Sequence, residues 1–148
     1  MKEIKLNRVS YSPGYGDMLG GYHESTLKKD KEGNWICVCI DRETHAMPKV
    51  ITTYAVSAEA VARFEEFIKS KKVLSLEKRL KSNMFMTDYS PWSWSIDYDT
   101  VSFGKTKREY CSFGEYKIYV GHDYKLLNEL EESFYALRGE KISETTED

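Results

Sequence analysis

The amino-acid sequence predicts an α+β fold in which a mainly antiparallel sheet carries two amphipathic helices on one face. Strand-like segments follow one another across short turns, which favours antiparallel pairing. Only two segments repeat apolar residues at helical spacing. Because each of these helices has a single apolar face, both can be buried by packing on the same side of the sheet.

The first predicted helix lies in the segment VSAEAVARFEEFIKSKK, residues 56–72. Ser57 suits the N-cap position, and Glu59 suits the positive end of the helix dipole. Phe64 stands at the centre of an apolar stripe with charged residues on the opposite face. We therefore expect Phe64 to be buried.

The second predicted helix follows Asp123, which we expect to cap it. Leu130 is central in its apolar stripe, and Arg138 followed by Gly139 suits a helix C-terminus. Leu130 is accordingly expected in the core. A shorter helical turn is possible at 76–81.

The remaining patterned segments read as strands. Trp92 to Tyr98 alternates large apolar residues with Ser or Asp, so Ser93, Ser95, Asp97 and Asp99 form the polar face of a half-buried strand. The segment 31–34, Lys-Glu-Gly-Asn, has the composition of a turn between two neighbouring strands. The other predicted strands are 22–28, 35–40, 49–56 and 116–120.

The length of 148 residues suits one domain, which we place at residues 1–139. Residues 140–148 contain four acidic residues and one lysine, and we expect them to form an acidic disordered tail. The formal net charge is −2, which offers no footprint for nucleic acid or a membrane surface. No segment has the apolar run of a signal peptide or a membrane span, so we expect a cytoplasmic protein.

The three cysteines lack the spacing of a disulfide framework. Cys37 and Cys39, with His45 six residues on, resemble a fragment of a metal site; the two cysteines could supply two ligands of one zinc, and two more ligands would be needed. The other cysteine and histidines are Cys111, His23 and His122, and none has a paired spacing. We expect buried reduced thiols, no metal and no cofactor.

The segment 10–23, SYSPGYGDMLGGYH, holds four of the nine glycines and is the best candidate for a functional site. One interpretation is structural: a long hairpin connection in which Gly20 and Gly21 let another chain segment pass closely. The other is a contact loop, and the residues expected to bind a ligand or partner are Tyr11, Tyr15, Met18, Tyr22 and His23. The glycine spacing matches no nucleotide-binding loop.

Three features together resemble a set of short bacterial domains of unknown function. They are the sequence Met18-Leu-Gly-Gly-Tyr-His23, the segment Thr52–Ser57 leading into a helix, and a closing amphipathic helix. The resemblance covers most of the chain. It implies a small intracellular α+β domain and transfers no catalytic residue.

Two functional hypotheses remain. The favoured one is a non-catalytic domain that binds a protein or a small molecule through segment 10–23 and nearby aromatic residues. The alternative is a small hydrolase-like enzyme with His23 as general base and Asp17 or Asp97 as its partner. A pocket that holds His23 beside a carboxylate would favour the enzyme, and a flat aromatic surface would favour the binding domain.

Overall fold

The computed structural model describes residues 3–14, 21–82 and 91–147. The strands in these ranges are β1 (Glu3–Ser12), β2 (Tyr22–Lys29), β3 (Trp35–Arg42), β4 (Lys49–Ala55), β5 (Ser93–Ser102), β6 (Lys105–Gly114) and β7 (Lys141–Glu147). The helices are α1 (Ala58–Ser70), α2 (Gly121–Tyr135) and a short 3₁₀ helix (Val73–Lys78). The strands form one sheet in the order β6-β5-β1-β2-β3-β4-β7, and each neighbouring pair is antiparallel. The predicted α+β class is confirmed.

Both α-helices lie over the same face of the sheet, which we name the covered face. Phe64 of α1 lies 5.9 Å from Phe134 of α2, measured between ring centroids. Phe134 also lies 5.2 Å from Trp94 of β5 and 6.3 Å from Tyr11 of β1. The predicted burial of Phe64 is confirmed.

One row of buried side chains crosses the covered face. Strand register aligns Phe113, Trp94, Tyr11, Ser25, Cys39 and Thr52 on successive strands from β6 to β4. The first three are large and aromatic, while the last three are small. All six are buried. The sheet therefore offers an aromatic half and a small polar half to the helix that lies across it.

The N-terminus of α1 has the predicted cap, because Ser57 Oγ accepts a hydrogen bond from the Ala60 N–H at 3.0 Å. The predicted start of α2 is wrong. The helix begins at Gly121, and Asp123 lies inside its first turn, where the carboxylate accepts the Val120 N–H at 2.9 Å. A first-turn carboxylate satisfies a free N–H as well as an N-cap residue would.

The end of α2 also differs from the expectation. The helix stops at Tyr135, so Gly139 is not the residue that terminates it. Gly139 instead donates its N–H to Ala55 O at 2.7 Å, and an added Cβ would lie 2.7 Å from that same oxygen. This close approach brings the chain to the edge of β4.

The predicted disordered tail at 140–148 is corrected by the structure, in which Lys141–Glu147 forms β7 and pairs with β4. Its side chains are exposed. The strand forms because β4 would otherwise present an unpaired edge, and the Ala55 N–H to Glu140 O bond at 2.8 Å aligns the two segments. The prediction relied on the acidic composition of the segment and overlooked three residues with β propensity, Ile142, Thr145 and Thr146.

Three more strand assignments differ from the prediction. Strand β6, which pairs with β5, was not predicted, and residues 116–120, predicted as a strand, do not form one. A tight turn joins β5 to β6 with positive φ at Phe103 (52°) and Gly104 (77°). Strand β1 was not predicted either, because charged residues interrupt its alternation and a bulge between Leu6 and Arg8 breaks the period of two.

We expect Gly21→Ala to lower the free energy of unfolding by more than ~1 kcal/mol. A Cβ on Gly21 would lie 2.6 Å from Glu43 O and 3.3 Å from Arg42 O. Both oxygens belong to the backbone, which cannot relieve the clash by a change of rotamer as a side chain can. Urea denaturation measures the loss. The matched control is Gly121→Ala, since a Cβ there meets nothing within 4 Å. Equal stability of the two variants would contradict the close approach.

Candidate functional site

Two cavities adjoin the end of β1 and the start of β2, and Pro13 lines both of them. We name the first the polar cavity. Its volume is about 220 Å³, and it is lined by Pro13, His23, Ser25, Asp41, Tyr135 and Arg138. The polar cavity lies beside segment 10–23, where the sequence predicted a site.

His23 and Asp41 face each other across β2 and β3 in the polar cavity. They are register partners, which brings their side chains close together. His23 Nδ1 lies 2.7 Å from Asp41 Oδ1, and His23 Nε2 lies 3.8 Å from Glu43 Oε1. Both ring nitrogens therefore face carboxylates.

Arg138 follows α2 and supplies the positive charge of the polar cavity. Its guanidinium lies 4.6 Å from the Tyr135 ring centroid and 5.3 Å from that of Tyr54. The Nη2 atom donates to Ser25 Oγ at 3.0 Å. The buried Nε has no hydrogen-bond partner in the described part of the chain. The aromatic rings hold the guanidinium in place and leave it with spare donor capacity.

Ser25 is the hydroxyl group of this cavity, but its hydrogen bonds are directed away from His23. Its Oγ donates to Cys39 Sγ at 3.4 Å and accepts from Arg138. A serine nucleophile must donate its proton to the histidine that activates it. The observed arrangement therefore lacks the hydrogen bond that a serine hydrolase needs.

The three cysteines are buried and unpaired, as the sequence predicted for thiols of the core. Cys37 and Cys39 form one pair on the covered face. Hydrogen bonds from the Cys37 thiol and from Ser25 hold the pKa of Cys39 below its usual range. The same contact with Cys39 and burial raise the pKa of Cys37. Within the described ranges, no group of three or more His, Cys, Asp or Glu residues could hold a metal ion.

The second cavity, which we name the aromatic cavity, has a volume of about 230 Å³. It is lined by Tyr11, Pro13, Trp92, Trp94, Tyr124, Leu127, Asn128 and Glu131. Tyr11 stacks on Trp94 with 4.0 Å between ring centroids and donates its phenol O–H to the Glu131 carboxylate. Burial, together with that hydrogen bond and the charge of Glu131, raises the pKa of Tyr11. The phenol therefore stays protonated and remains a donor.

The predicted contact residues fall at different places. Tyr11 is buried and lines the aromatic cavity, while His23 lines the polar cavity. Tyr22 lies on the opposite face of β2, where its O–H donates to Glu24 and Lys49 Nζ lies 5.8 Å from its ring centroid. Tyr15, Met18 and Asp17 lie outside the described residues, as does Gly20.

Asp97 does not partner His23, so that half of the alternative hypothesis is wrong. It lies on the uncovered face of β5, where Arg108 binds it through two hydrogen bonds of 3.0 and 2.6 Å. Asn7 donates to both Asp97 and Asp99, at 3.2 and 3.1 Å. These contacts hold the pKa of Asp97 below its ordinary value, with the Arg108 hydrogen bond as the largest cause. The predicted polar-face role of Asp97 is confirmed.

Sequence reasoning missed Asp41 and Arg138 as site residues. Asp41 could have been found, because the predicted 31–34 turn fixes the pairing of β2 with β3 and hence places position 41 opposite His23. Arg138 was interpreted only as a cation at the helix terminus. Nothing local in the sequence shows that α2 crosses the sheet and ends above Ser25.

No family model matches the chain, and no curated protein or solved structure matches it significantly. Among the described residues, no helix has the length and apolar character that crossing a membrane requires.

Proposed function

We propose that this chain is a ligand-binding domain whose polar cavity holds a small polar molecule carrying an anionic group. The proposal depends on the contacts of the Arg138 guanidinium. The guanidinium lies close to two tyrosine rings at the cavity wall, and its Nε has no hydrogen-bond acceptor among the described residues. Arginine held in this way suits a carboxylate or phosphate group.

The other polar groups of the cavity define the rest of the ligand. Asp41 contributes a carboxylate, and its side chain is half exposed at 50%. A ligand that also carries a hydrogen-bond donor would therefore be held at both ends, by Arg138 and by Asp41. The volume of about 220 Å³ restricts the occupant to a small molecule or one side chain.

A second candidate function is an acid–base enzyme in which Asp41 orients His23. The 2.7 Å distance between His23 Nδ1 and Asp41 Oδ1 favours it, since a carboxylate in this position fixes the ring and its tautomer. It ranks below binding because Ser25 directs its hydroxyl to Cys39, and because the second nitrogen of His23 faces Glu43.

A thermal-shift screen of small carboxylic acids and phosphates tests the binding proposal. A ligand present at a concentration 100 times its Kd stabilises the folded state by about 2.7 kcal/mol. Such a gain raises the Tm by several degrees. We expect Arg138→Gln to lose the shift and Arg63→Gln, an exposed arginine on α1, to keep it. An unchanged shift in Arg138→Gln, or no anionic ligand at all, would overturn the proposal.

His23→Asn separates the two candidate functions. Asparagine can still donate a hydrogen bond to Asp41, but it cannot accept a proton as an imidazole does. If the domain only binds, the variant keeps ligand affinity within a few-fold. Turnover of chromogenic esters by the native protein, abolished in His23→Asn, would instead establish the enzyme.

A further inference from the structure

Among its described lining residues, the aromatic cavity has one carboxylate and no positive charge. Glu131 is the only Asp or Glu of that set, and none of its members is basic. Glu131 forms no ion pair with any described residue. Outside the described ranges the only basic residue is Lys2. The Glu131 carboxylate therefore has no cationic partner in the described part of the chain.

The hydrogen bond from Tyr11 orients Glu131 without neutralising it. The phenol donates its proton to the carboxylate but keeps its own O–H bond, so the pair retains one negative charge. Tyr11 is fixed in turn by its stacking on Trp94, which is only 2% exposed. The carboxylate is thus held by rigid aromatic groups at the wall of the cavity.

Two further aromatic rings line the aromatic cavity. Trp92 stacks on Tyr119 with 5.7 Å between centroids, and Tyr124 meets Tyr119 edge-on at 5.9 Å. Tyr119 itself is buried and donates its O–H to Gly114 O at 2.7 Å. Tyr119 therefore anchors both rings, although Tyr124 is 55% exposed.

We propose that the aromatic cavity binds an organic ammonium cation, with Glu131 as its counter-ion and Trp92 and Tyr124 as its aromatic walls. The negative faces of aromatic rings attract a cation within about 6 Å, and a nearby carboxylate adds to that attraction. A hydrated metal ion fits less well, because the described lining of the cavity offers one carboxylate and no cluster of ligands. An alkylammonium also buries its methyl or methylene groups against the rings. This site goes beyond the proposed function, since Pro13 is the only described residue common to both cavities.

Choline and its uncharged isostere 3,3-dimethyl-1-butanol provide the test. They have the same shape, so a difference in affinity reports the charge alone. Titrations followed by tryptophan fluorescence and by amide chemical shifts should show choline binding at least ~10-fold more tightly than the isostere. Equal affinities, or no choline binding up to ~20 mM, would overturn the proposal. This comparison uses the native chain and needs no variant.

Glu131→Gln tests the counter-ion, because glutamine keeps an acceptor for Tyr11 but loses the charge. We expect it to weaken choline binding about 10-fold, whereas Glu132→Gln, an exposed neighbour on α2, should bind as the native protein does. An unchanged affinity in Glu131→Gln would contradict the role of Glu131. Once choline binding is measured, a short peptide containing trimethyl-lysine distinguishes a protein-borne from a free ammonium group: tighter binding of the peptide than of choline indicates the protein-borne group, and weaker binding the free one.

Discussion

Replacing Leu130 with alanine is expected to lower the free energy of unfolding by about 2–5 kcal/mol. Leu130 is fully buried, at 0% exposure, in the layer between α2 and the sheet. Deleting its side chain removes apolar contacts and leaves a cavity that rigid neighbours cannot fill. Because domains of this kind are stabilised by only about 5–15 kcal/mol, the loss is a large part of the total.

Urea denaturation at neutral pH measures this effect, and Leu80→Ala is its matched control. Leu80 is 76% exposed, so the same change of side chain there should alter stability by less than ~0.5 kcal/mol. Similar midpoints for the two variants would show that α2 does not cover the sheet.

Replacing Asp123 with asparagine is expected to cost about 2–3 kcal/mol. Asp123 is 1% exposed and accepts two hydrogen bonds from Arg79, at 2.8 and 2.9 Å. It also accepts the Val120 N–H, which an asparagine oxygen can still do. The loss therefore comes from the ion pair, which ties the segment after the 3₁₀ helix to the start of α2.

The ion pair between Asp123 and Arg79 also makes the free energy of unfolding depend on pH. The Arg79 hydrogen bonds, followed by that of Val120, lower the pKa of Asp123 from 3.8 to about 2 against the opposing effect of burial. Because the folded-state pKa lies below the unfolded value, the stabilisation is fully present above about pH 4 and is lost as the pH falls towards 2. Thermal melts between pH 2 and pH 6 should show a smaller slope for Asp123→Asn than for the native chain.

A double-mutant cycle with Arg79→Gln isolates the interaction. We expect the losses from the two single variants to be less than additive, because either one removes the same ion pair. Fully additive losses, together with an unchanged pH slope in Asp123→Asn, would contradict this account.

Local patterns predicted the elements whose side chains alternate or repeat cleanly. The stripe around Phe64 and the Ser57 cap located α1, and the alternation from Trp92 located β5. Strand β7 was not predicted, because its exposed residues form no apolar face. Its strand conformation depends on pairing with the edge of β4, which is far away in the sequence. Composition alone cannot reveal such pairing.

The candidate site was predicted in part. The glycine content predicted a site in segment 10–23, and His23 of that segment lies in a cavity beside a carboxylate. That carboxylate is Asp41, which strand pairing brings opposite His23, and Arg138 arrives from the end of α2. Both residues depend on tertiary packing, and a search for adjacent motifs does not find contacts of this kind.

Amide chemical-shift mapping tests whether the polar cavity binds a small anionic molecule. The ¹⁵N-labelled native chain and Arg138→Gln would each be titrated with the best acid from the thermal-shift screen. We expect shifts in the native chain concentrated at residues 23–25, 39–41 and 135–138, and none of them in Arg138→Gln. Shifts centred elsewhere, or the same shifts in both proteins, would contradict the binding proposal.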